Sequence, residues 1–96
     1  MRRLVPAALL LAASPALADG EAPWGAFREE VRTACEALVE APADAEVVTE
    51  VNPFGSESYG VALVTVTASY GTDRMACVFD KATRRAELTA AFLPEG

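Results

Sequence analysis

GVALVTVTASYGTDRMACVFD, running from Gly60 to Asp80, reads as two β-strands on either side of one polar break. Before the break, one alternate set holds Ala62, Val64, Val66, Ala68 and Tyr70; after it, another holds Met75, Cys77 and Phe79. Period-two alternation in residues of high β propensity marks strands with one buried face. The polar Gly71-Thr72-Asp73-Arg74 is expected to form the turn. That pairs Tyr70 with Met75, Ala68 with Cys77 and Val66 with Phe79, all on one face. The small Ala68 then leaves room beside Cys77 for an element lying over the sheet. The element expected there is a helix carrying Cys35.

Upstream, Trp24, Phe27, Val31, Ala34, Cys35 and Leu38 recur at spacings of three and four, the period of one helix face. Pro23 suits the first helical turn, and Pro42 implies an end near Glu40. Ala45 to Asn52 reads as the first strand, with Ala45, Val47, Thr49 and Val51 on one side. Pro53 to Tyr59 is a loop rich in turn formers. After Phe79, Asp80 to Arg85 makes a turn in which Arg84 takes a position where glycine is commoner. A fourth strand, Arg85 to Leu93, is expected to turn Ala86, Leu88, Ala90 and Phe92 inward. Consecutive strands tend to be neighbours. The fold class is therefore α+β: one N-terminal helix packed on a four-stranded antiparallel meander sheet, a two-layer sandwich with one helix-to-sheet disulfide. In outline this is similar to cystatin-like folds and to small exported inhibitor or PepSY-like domains, a likeness of architecture alone.

Residues 1–18 read as a cleaved signal peptide. Arg2 and Arg3 form a basic start, Leu4 to Ala13 an apolar run, and Ala16-Leu17-Ala18 a small-residue cleavage site. The apolar run is shorter than the roughly 20 residues that span a bilayer. Residues 19–96 then form a single small α+β domain, periplasmic or secreted. Loss of Arg2 and Arg3 leaves six basic against fourteen acidic side chains, a net charge of −8. Such a balance repels phosphate backbones and anionic lipids, which argues against nucleic acid and against membrane insertion after cleavage. Two cysteines in a small exported domain imply one disulfide, Cys35 to Cys77.

Chemistry is sparse. The chain has no histidine, which removes the commonest general base and metal ligand. Paired cysteines leave no thiolate nucleophile, and two thiolates do not complete a zinc shell. Neither a phosphate-binding glycine loop nor a nucleophile elbow is present. The expectation is a non-enzymatic protein with no metal and no cofactor, engaging a protein partner in the envelope or outside the cell. Phe54 and Tyr59, on a loop of Gly, Ser and Pro, form the candidate binding loop, because aromatic rings on such a loop bury large area at low entropic cost. The competing expectation is that these rings close the core. The alternative function is an accessory or structural domain that holds a small apolar ligand between helix and sheet, beneath Trp24 and Phe27. Lys81, Arg84 and Arg85 read as solvated charges on a turn, with contact to a carboxylate or an anionic envelope component as the alternative.

Overall fold

The computed structural model describes residues 21–93. The expected leader, residues 1–18, and the last residues of the tail lie outside the described residues. Helix α1 spans Glu21–Glu36, followed by strands β1 (Glu46–Val51), β2 (Tyr59–Ala68), β3 (Gly71–Asp80) and β4 (Ala86–Leu88). The strands pair in chain order, each antiparallel to the next, and α1 packs across one face. The expected fold class is the observed one.

The helix stripe reaches the sheet through Phe27, Val31, Ala34 and Cys35, of which Val31 and Cys35 are fully buried. From β2 and β3, Ala62, Val64, Val66, Cys77 and Phe79 complete the core. Cys35 and Cys77 form a disulfide across a Cα–Cα distance of 6.0 Å, within the normal span for that bond. Gly60 lets the helix come close. A Cβ there would sit 2.8 Å from a Val31 methyl and 3.0 Å from the Phe27 ring, so any larger residue would push α1 away.

Three expectations need correction. First, the β2–β3 turn is Ser69-Tyr70, not Gly71 to Arg74, because Ala68 pairs with Gly71. Cys77 therefore lies opposite Ala62, and Val66 opposite Asp73. The shift is an even number of positions, so every residue keeps its face, and hydrophobic patterning alone could not distinguish the two registers. Tyr70 helps hold the shorter turn by donating its hydroxyl hydrogen to Asp73 at 3.0 Å.

Second, α1 ends at Glu36 rather than near Glu40. The last main-chain bond of helical span is Ala37 N to Thr33 O; Leu38 N and Val39 N then reach back only three residues, to Cys35 and Glu36. With the helix finished, its period no longer places Leu38, which is 40% exposed, while Val39 packs on the core.

Third, β4 stops at Leu88. Thr89 N still donates to Ala76 O, but Ala76 N donates to the Thr89 hydroxyl instead of a main-chain carbonyl. Beyond it, Phe92 N bonds Arg74 O, where an unbroken ladder would place residue 91. This one-residue bulge exchanges the faces of the tail, so Phe92 leaves the core side and is 61% exposed.

The outer edge of β1 is guarded. Asn52 N bonds Val61 O, so by ladder alternation Val47, Thr49 and Val51 turn their main-chain groups outward. Arg32 of α1 donates to the Thr49 carbonyl at 2.9 Å, occupying the middle of that edge. The Thr49 hydroxyl is buried and, among the described residues, has no hydrogen-bond partner.

Candidate functional site

The segment between β1 and β2 is held by its own residues and by two cations from elsewhere. Asn52 Oδ1 accepts from Phe54 N at 3.2 Å and Gly55 N at 2.8 Å, a side-chain-closed turn. Gly55 follows with φ +72°, and a Cβ there would collide with the Tyr59 carbonyl oxygen. Ser56 N then donates to Tyr59 O, and Tyr59 N to Ser56 Oγ. From α1, Arg28 donates to Pro53 O at 3.0 Å. From the β3–β4 turn, Lys81 Nζ donates to Phe54 O at 3.1 Å and to Ser56 O at 2.7 Å, and Lys81 N donates to Ser58 O.

These ties bring Phe54 against the first turns of α1. Its ring meets Trp24 edge to face, with centroids 5.0 Å apart. Trp24 in turn meets Phe27 at 5.5 Å, and Phe27 meets Phe79 in the core at 6.2 Å. Such T-shaped pairs set the positive edge of one ring against the negative face of the next. One row of rings thus runs from the buried Phe79 to the exposed Trp24 and Phe54, which are 38% and 52% accessible.

Cations lie over this row. Lys81 Nζ is 5.1 Å from the Phe27 centroid and 5.5 Å from that of Trp24. Arg28 lies 6.0 Å from the Phe54 centroid and Arg84 5.6 Å from that of Phe79. Arg84 also forks onto Glu30 of α1, its Nε donating at 2.8 Å to one carboxylate oxygen and its Nη2 to the other. Hydrogen bonding from Arg84 holds the Glu30 carboxyl below its ordinary value, and the bond to Glu30 raises that of Arg84. As expected from the sequence, Arg84 takes a left-handed conformation, φ +64°. A non-glycine residue resists that geometry, but here it turns the guanidinium back onto Glu30 and Phe79. The expectation of solvated turn charges holds only in part: Arg84 stays exposed and Lys81 half-buried, yet each bonds to groups within its reach, Lys81 to loop carbonyls and Arg84 to the Glu30 carboxylate. Pro23, Trp24, Phe27, Lys81 and Arg84 line an open depression of about 300 Å3.

The two rings of the expected binding loop do not lie together. Gly60 faces the helix, so Tyr59, one residue earlier, faces the uncovered side of the sheet. It is 43% exposed there, beside Val78, Asp80 and Arg85 around a separate shallow depression. Sequence reasoning singled out Phe54, and it placed Trp24 and Phe27 on one helix face. It missed Arg28, Lys81 and Arg84 as their companions. The pairing of Tyr59 with Asp80 is what carries Lys81 to the loop, and no local pattern announces it. Among the described residues, no group of three or more His, Cys, Asp or Glu side chains is placed to hold a metal ion.

The disulfide indicates an oxidising, extracytoplasmic environment. No protein-family model matches the chain, and no curated protein or solved structure matches it either.

Proposed function

We propose that this chain is an exported, non-enzymatic binding module that engages a protein partner through the Trp24–Phe54 end of the fold. One observation carries the reading: two exposed rings touch edge to face, Trp24 on α1 and Phe54 on a segment already tied down by Asn52, Arg28 and Lys81. A pre-organised aromatic pair loses little entropy on binding, and interface energy concentrates in a few such anchors. An acidic chain without histidine is consistent with a binding role and with a periplasmic or secreted location. A small apolar ligand between helix and sheet gains no support. That space is filled by Phe27, Val31, the disulfide and Phe79, packed down onto Gly60.

The test is Phe54→Ala, with binding and melting measured on the same preparation. Tagged protein is expected to retain a partner from envelope extract, and the variant to retain it at least about tenfold less well, a loss near 1.4 kcal/mol, with Tm nearly unchanged. Tyr59→Ala, on the other face, is expected to change neither. A lowered Tm with unaltered retention would show that the Phe54 ring serves the core, and the proposal would fall.

A further inference from the structure

We propose that the depression between Pro23, Trp24, Phe27, Lys81 and Arg84 receives a carboxylate attached to an apolar side chain, the chemistry of a polypeptide C-terminus ending in an aliphatic residue. The inference rests on the reading of this end as the binding surface and adds the partner's chemistry. Three features converge. The volume, about 300 Å3, is at the lower end of ligand sites and suits one terminal residue rather than a larger molecule. The Trp24 and Phe27 rings and the Pro23 ring supply an apolar floor. Two cations stand beside it with donors to spare.

Hydrogen-bond capacity makes the last point concrete. A lysine ammonium has three N–H donors, and Lys81 directs bonds to two acceptors, Phe54 O and Ser56 O. A guanidinium has five, and Arg84 engages Glu30 through Nε and Nη2 and reaches the Lys81 carbonyl only at 3.5 Å. Both groups therefore keep N–H bonds to offer, and both are already positioned by rings and carbonyls. Glu30, a carboxylate of the described residues beside Arg84, is already paired with it. Glu57 and Asp80 line a different depression beside Lys81. In a chain of net charge −6, Lys81 and Arg84 set two cations beside this depression, and a carboxylate is their electrostatic complement.

Trp24 is the chain's sole tryptophan, so its emission reports on this depression directly. The probe is N-acetyl-Gly-Gly-Ala-Leu, titrated into the disulfide-bonded protein as the free acid and as the C-terminal amide. The acid is expected to change Trp24 emission saturably, with the amide at least about tenfold weaker. Arg84→Gln is expected to weaken the acid about tenfold while leaving the amide unchanged. Equal titration by acid and amide, or no saturation by about 10 mM acid, would overturn the proposal. So would displacement of the peptide by inorganic phosphate at equal concentration, which would mark a general anion site. If Arg84→Gln does not fold, the acid–amide comparison on the unaltered protein still decides. Loss of the acid preference while Phe54→Ala still abolishes partner retention removes the carboxylate site alone. Retention indifferent to Phe54→Ala removes the surface itself.

Discussion

Gly55 and Glu30 show how single residues set the geometry of the aromatic end. Gly55 adopts φ +72° because the chain must turn sharply between the Asn52-closed turn and Tyr59. Gly55→Ala meets both an unfavourable dihedral and the Tyr59 carbonyl. Its expected cost is about 1–3 kcal/mol, read from urea denaturation, because the loop must open to admit the methyl group. A loss well below that range would mean the segment is not held by its own turns. Glu30 contributes through protonation. Its carboxyl titrates below the ordinary 4.5, chiefly because Arg84 hydrogen-bonds to it. A depressed folded value means stability that is fully present above the ordinary one and lost as pH falls through the folded one. The urea midpoint is therefore expected to fall further between about pH 6 and about pH 3 in the native chain than in Glu30→Gln. The pair is solvent-exposed, so the difference should shrink at high salt. Identical pH profiles for the two proteins would remove the pair from the stability account.

Among the elements, the edge strand and the bulge carry most of the information that patterning left out. Strand β1 presents outward main-chain groups, the geometry that invites a second chain to pair. Arg32 blocks the middle of that edge through the Thr49 carbonyl, and Glu29 lies 3.7 Å from its Nε. Arg32→Ala is expected to cost about 0.5–1.5 kcal/mol, the net worth of one hydrogen bond. It should also raise light scattering on heating, because the freed edge can template pairing. Scattering equal to that of the parent would show that Arg32 does not guard the edge. The segment after β4 teaches a related lesson. Ala86, Leu88, Ala90 and Phe92 alternate cleanly, yet the Thr89 hydroxyl replaces a carbonyl in the ladder and one extra residue then enters. Alternation in sequence assumes an unbroken strand, and a single bulge inverts it from that point on.

For the molecule as a whole, stability depends on a small core stapled across its two layers. The disulfide closes a 42-residue separation and ties the only described helix to the middle of β3. In the chain-entropy account, a loop of that length contributes roughly 3–4 kcal/mol. The double variant Cys35→Ala, Cys77→Ala is expected to lose about 2–5 kcal/mol, measured by denaturant unfolding, a large share of the total for so small a domain. Melting that does not respond would mean the hydrophobic core suffices alone. The sequence by itself determined the element order, the faces of the central strands, the cysteine pair and the left-handed Arg84. Each follows from local periodicity, composition or turn chemistry acting over a few residues. Tertiary structure alone decided the β2–β3 register, because an even slip preserves every face and leaves patterning silent. It also decided the meeting of Trp24, Phe54, Lys81 and Arg84. These residues come from three separate elements, and their contact depends on a register and a helix docking that no short stretch of chain encodes.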